Sequence, residues 1–138
     1  PGNGSRGRIL FHGRTLCAQC HRVNGEGGIL GPDLTKIGAI RSRRDLLEAI
    51  VYPNTTVVNG YENYLIETYD GTIHAGLIQR QTPDAVYLHN ISQREQRVSR
   101  DTISSMQRSP ISAMPAALHR FLSLQEFSDL IAFLEECQ

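Results

Sequence analysis

The chain has 138 residues, with 14 Lys and Arg against 14 Asp and Glu, so its net charge is zero and its pI is near 7.4. That length suits one domain, or a small domain carrying an insertion, and the charge balance argues against a nucleic-acid partner. No apolar run approaches the ~18 residues of a bilayer-spanning helix, and an aromatic content of 7% without Trp is thin for a core built of protein alone. The chain begins at Pro1 and is read as a mature or excised piece of something longer.

Residues 5–12 read as a first helix. Gly7 and Phe11 share a face, and a Gly at such a position predicts the close approach of another backbone. Next comes Cys17-Ala18-Gln19-Cys20-His21. Residues 24–40 are glycine-rich and loop-like, with Leu34, Ile37 and Ile40 as apolar points. Residues 43–52 form a second helix, capped by Ser42 with Asp45 three residues on and stopped by Pro53. From Tyr61 the period changes to that of strands: Tyr61–Tyr69, the Asp70-Gly71 hairpin turn, Thr72–Gln81, Ala85–His89, a polar turn at Asn90–Arg94, Gln96–Ser99 and Thr102–Met106. Five short strands joined by local turns imply a small antiparallel sheet or partly closed barrel over residues 61–108. A Met114-Pro115 loop follows. The last helix starts at Ser123, with Glu126 closing a capping box, and carries the stripe Phe127, Leu130, Ile131 and Leu134.

The C-x-x-C-H run carries the chemistry. Two thiols three positions apart can add to the two vinyl groups of a haem, and the histidine that follows is placed to ligate the iron. A four-cysteine zinc site would need a second C-x-x-C, and the only other cysteine is Cys137, which stands alone. A redox dithiol of the thioredoxin type would follow a strand, whereas a helix precedes this one. Candidates for the second axial position are His12, His74, His89, His119, Met106 and Met114. Met114 is favoured, because Pro110 and Pro115 limit the freedom of its loop. His119 is the main competitor, Met106, His74 and His89 belong to the strands, and His12 is too close to the first helix to swing across a porphyrin. A ligating histidine usually donates its other ring N–H to a carbonyl, and Pro32, eleven residues after His21, supplies a suitable one. Phe11, Leu34, Ile37, Leu47 and Ile50 are the apolar residues expected around the haem. Arg41, Arg43 or Arg44 could reach its propionates. With Lys36 as the only lysine, a lysine-ringed docking surface is excluded.

This arrangement resembles the class I cytochromes c: Gly7 and Phe11 on the first helix, Cys17 to His21, Gly31-Pro32, Met114-Pro115, and a last helix ending in Phe133-Leu134. The wider stretch is similar to the haem-binding domains of planctomycetes and verrucomicrobia, through Gly31-Pro32-Asp33-Leu34-Thr35, Gly60-Tyr61-Glu62, Asp70-Gly71 and Met114-Pro115. The resemblance implies a mainly α cytochrome c fold (residues 1–138 as one domain) with the 61–108 sheet inserted, α+β overall. It implies one covalently bound haem c, His21 and Met114 as iron ligands, and single-electron transfer rather than catalysis. The partner would be a redox protein or a fused dehydrogenase domain, and the location periplasmic or otherwise extracytoplasmic. The rival reading is a haem-based gas or redox sensor whose sixth iron position is open or exchangeable.

Overall fold

The computed structural model describes residues 1–92 and 94–138. The elements are α1 (Gly4–His12), α2 (Cys17–Cys20), β1 (Arg22–Val23), β2 (Glu26–Gly27), α3 (Ile37–Ile40), α4 (Arg43–Val51), β3 (Asn63–Thr68), β4 (Ile73–Gln81), β5 (Ala85–His89), β6 (Gln96–Ser99), β7 (Ile103–Arg108) and α5 (Leu124–Glu136). Short 3-10 turns lie at Arg100–Thr102 and Leu118–Phe121. With 34% helix and 25% strand, the chain is a mixed structure and not a mainly α one. It divides into two compact units, residues 1–56 with 114–138 and residues 57–113.

The first unit is helical. Asn3 caps α1 by accepting from the Arg6 N–H, one residue earlier than the sequence pattern suggests. Both expected capping boxes form, at Ser42/Asp45 on α4 and at Ser123/Glu126 on α5. α1 packs on α5 through Gly7, where a Cβ would overlap the Asp129 carbonyl and lie 2.7 Å from the Phe133 Cβ. The helices can approach this closely only without a side chain there. Around the crossing, Phe11, Leu46, Ile50, Leu130, Ile131, Phe133 and Leu134 form one buried cluster. Burial of each such side chain contributes about 1.5–3 kcal/mol. Phe11 lies with its ring centroid 5.3 Å from that of Phe133. Cys137, which stands alone in the sequence, is buried in the same cluster.

A charged residue is also buried at the crossing. The Asp129 carboxylate accepts from the Asn3 N–H (2.7 Å), Arg6 Nε (2.8 Å) and Gln125 Nε2 (2.8 Å), which together satisfy its buried oxygens. These bonds, the one to Arg6 above all, hold its carboxyl below the ordinary carboxylate range, and they tie the start of α1 to the middle of α5. The stretch read as loop contains two further elements. Gly25 and Gly27 take positive φ and close the two-residue ladder of β1 and β2. α3 is held where the Gly38 N–H donates to the Cys137 carbonyl at 2.7 Å.

The second unit is an open antiparallel sheet in the order β6-β5-β4-β3-β7, not a closed barrel. Its register pairs Ile66 with His74 and Met106, and Val86 with Val98. Ile66, Val86, Leu88 and Val98 are its buried core. The Asp70-Gly71 hairpin forms with Gly71 at φ +83°, and Asp70 accepts from Thr68 and Thr72, which brings its pKa down to about 2. At the other end of the sheet the Ser109 N–H donates to the Asn63 carbonyl (2.8 Å), so the chain enters and leaves the unit at adjacent points. Gln93, within the expected Asn90–Arg94 turn, lies outside the described residues.

Candidate haem site

α2 is a single helical turn. Leu16 opens it in the left-handed region (φ 59°), and the His21 N–H closes it on the Cys17 carbonyl at 2.9 Å. Residues three apart on a helix share a face, so Cys17 and Cys20 lie on one side, one turn apart. His21 leaves the turn in an extended conformation (φ −107°, ψ 141°). The following loop folds back along the motif. Gly28 N–H donates to the Ala18 carbonyl, Gly31 N–H to Cys20 and Leu34 N–H to Arg22, each at 2.8 Å. This places the Pro32 carbonyl 2.8 Å from His21 Nδ1, which donates to it. With its proton fixed on Nδ1, the neutral ring keeps the Nε2 lone pair for a metal. Gly31 lies against the imidazole so closely that a Cβ would be 2.8 Å from Nδ1.

Burial sets the protonation of the three motif side chains. It lowers the His21 pKa, against a smaller opposing effect of the Pro32 carbonyl, and so favours the neutral ring that a metal ligand must be. It raises the Cys17 thiol, with the hydrogen bond toward Thr15 working against it and Cys20 adding to it, and it raises Cys20 as well.

Cys17 faces an apolar cleft lined also by Thr15, Ile50, Met114, Leu118, His119, Leu122 and Leu130. Met114 is half-buried and packs against the helical core, as do Leu34, Ile37 and Leu47. Of the five apolar residues expected around the haem, Ile50 lines the cleft, whereas Phe11 lies in the α1–α5 crossing against Phe133. Thr15 and Leu118 line the cleft without a signal in the sequence, whereas Leu130 belongs to the α5 stripe and Leu122 to the staple position just before the Ser123 cap. His74, His89 and Met106 lie on strands of the sheet, as expected, and His12 is exposed beside Phe11. Arg43 pairs with Glu135 and Arg44 with Glu48, so two of the three candidate propionate donors already have acidic partners. Among the described residues no group of three or more His, Cys, Asp or Glu is placed to hold a metal ion.

The donor set fits a covalently held haem. Two thiols stand one turn apart, one imidazole has Nδ1 committed and Nε2 available, and an apolar cleft lies beside the first thiol. These features define a c-type haem protein. The cytochrome c family model matches residues 5–86, well over half of the chain, and the chain belongs to that family. No curated protein matches it. Membership brings one covalently bound c-type haem, with Cys17 and Cys20 fitting the attachment motif, and a general role in haem-based electron transfer between proteins. Cytochrome c domains are typically extracytoplasmic, and no helix among the described residues is long and apolar enough to cross a membrane.

Proposed function

We propose that this chain is a monohaem cytochrome c domain that passes single electrons through a haem ligated by His21 and Met114. The observation that carries the reading is the 2.8 Å bond from His21 Nδ1 to the Pro32 carbonyl, which leaves Nε2 for iron, beside a cleft that Cys17 shares with Met114. When bound, the haem supplies a one-electron couple between ferric and ferrous iron, at the comparatively high potential that a His/Met pair favours.

The residues have distinct tasks. Cys17 and Cys20 would hold the haem through thioethers, each formed by addition of S–H across a vinyl group, which needs no oxidant. His21 gives its Nε2 lone pair to the iron while Pro32 fixes its tautomer and angle. Met114 would hold the iron through its thioether, and a second protein ligand would leave the iron without an open site for a substrate. Phe11, Leu34, Ile37, Leu47 and Ile50 keep the surroundings apolar. Residues 1–138 form one cytochrome domain, with residues 61–108 as a β-rich insertion between α4 and the Met114 loop. The likeness to the planctomycete and verrucomicrobial haem-binding domains supports a periplasmic placement, with a redox protein or a fused dehydrogenase domain as partner. The net charge of zero implies encounters that depend weakly on salt.

The test is the optical spectrum of protein matured with haem, oxidised and reduced, for the wild type and Met114→Ala. A sulfur-to-iron charge-transfer band present in the wild type and absent from the variant is expected. A wild type without the band, unchanged by the substitution, would overturn His/Met ligation.

A further inference from the structure

We propose that His119 is a second ligand for the haem iron, held beside Met114 and ready to take the sixth position when the thioether leaves it. The inference rests on the reading of Met114 as the resting ligand.

His119 lies on the Leu118–Phe121 turn, which opens with Ala117 in the left-handed region (φ 67°) and closes where the Leu122 N–H donates to the His119 carbonyl. The turn fixes the backbone of His119 five residues from Met114. Its ring centroid is 6.2 Å from that of Phe127, with the ring planes 36° apart. Both His119 and Met114 line the cleft that contains Cys17. Buried polar atoms in proteins nearly always have a partner. His119 Nδ1 is buried, and among the described residues it has none. The rest of the lining does not supply one. The Thr15 hydroxyl donates to the Leu10 carbonyl, Cys17 is consumed as a thioether, Met114 offers only a weakly accepting thioether, and Ile50, Leu118, Leu122 and Leu130 are apolar. A buried nitrogen without a protein partner, in the cleft that Met114 also lines, is available to the iron once the thioether leaves it.

The exchange moves no electron and no proton. Met114 withdraws with its sulfur lone pair, and the neutral His119 ring donates a nitrogen lone pair while the ring proton stays on the other nitrogen. A nitrogen donor favours ferric iron more than a thioether does, so the exchange lowers the potential and keeps small diatomic ligands out.

The experiment compares wild type, His119→Ala, Met114→Ala and the double variant, each with covalently attached haem. The readouts are ferric optical and electron paramagnetic resonance spectra and carbon monoxide binding to the reduced protein. The wild type and His119→Ala are expected to keep the sulfur-to-iron band. Met114→Ala is expected to lose the band yet stay six-coordinate, low-spin and nitrogen-ligated. It should bind carbon monoxide about tenfold more slowly than the double variant, because binding waits for the fraction of iron that His119 has left. The double variant should be high-spin and return to low-spin when imidazole is added. Met114→Ala/His119→Phe, which keeps an aromatic ring against Phe127, serves as a second double variant if the first folds poorly. A Met114→Ala protein that is already high-spin, with carbon monoxide kinetics equal to those of the double variant, would overturn the proposal while leaving Met114 as the ligand. A wild type without the sulfur band, unchanged by Met114→Ala, would overturn both.

Discussion

Gly31→Ala puts the hydrogen bond behind His21, the proposed iron ligand, to a quantitative test. A Cβ at position 31 would lie 2.5 Å from Cε1 and 2.8 Å from Nδ1 of His21. Non-bonded carbon contacts settle near 3.5 Å, so the imidazole must retreat by about 0.7–1 Å. That movement stretches the 2.8 Å bond to the Pro32 carbonyl beyond the ~3.2 Å reach of an N–H···O hydrogen bond. Such a bond contributes about 0.5–1.5 kcal/mol net. The acceptor behind Nδ1 raises the basicity of Nε2 and so favours ferric iron. Its loss therefore raises the reduction potential. For a one-electron couple ~59 mV corresponds to ~1.4 kcal/mol, which bounds the expected rise at about 20–60 mV. A spectroelectrochemical titration of fully haem-loaded wild type and variant measures it. An unchanged potential, within about 10 mV, or a fall would refute the link between the Pro32 carbonyl and the iron.

Three further outcomes follow from the helical unit. Ile131→Ala, at a side chain with no exposure, should destabilise the protein by about 2–5 kcal/mol in urea unfolding, and a loss under ~1 kcal/mol would mean that the site collapses around the cavity. Removing the cap with Ser123→Ala should cost about 1 kcal/mol, measured in the same way, and an unchanged midpoint would show that the Glu126 half of the box suffices. Because the folded-state pKa of Asp129 is depressed, its stabilisation is fully present above the ordinary carboxylate value and is lost as the pH falls through the depressed one. Asp129→Asn should accordingly lower stability at neutral pH and flatten its acid decline, whereas parallel stability–pH curves for the two proteins would count against the Arg6–Asp129 clamp.

What could be read from the chain alone followed the range of the physics. The Ser42 and Ser123 capping boxes, the Asp70-Gly71 turn and strands β5 and β6 depend on neighbours within a few residues, and the structure has them as expected. The closeness of a second backbone at Gly7 was also legible, since a mid-helix glycine has little other use. Asp129 was not. Its position outside the apolar α5 stripe gives no sign of burial, and Arg6, which compensates its charge, lies 123 residues away in sequence. The β1–β2 ladder is too short to show a period. α3 depends on a bond to Cys137 near the far end of the chain. The packing of Phe11 on Phe133 was not legible either, because one aromatic on an amphipathic helix does not say which partner it meets. At the site, the C-x-x-C-H motif and the Pro32 carbonyl were legible from spacing, while the cleft lining contributed by Thr15 and Leu118 came only with the tertiary structure.

The pairing of Asn63 with Ser109 bears on how the helical unit tolerates so long an excursion of the chain. To bring Phe11 against Phe133 the polypeptide must close a loop of roughly 120 residues, and loop-closure entropy grows only with the logarithm of length. If the sheet forms first from its local hairpins, its two ends meet, and the effective loop falls to about 75 residues, a saving of only ~0.4 kcal/mol. The small size of that figure is what matters. For the two terminal helices, a sheet whose ends meet is thermodynamically little more than a long surface loop. In loop-closure terms the sheet can therefore lengthen or shorten at almost no expense to the crossing of the two terminal helices.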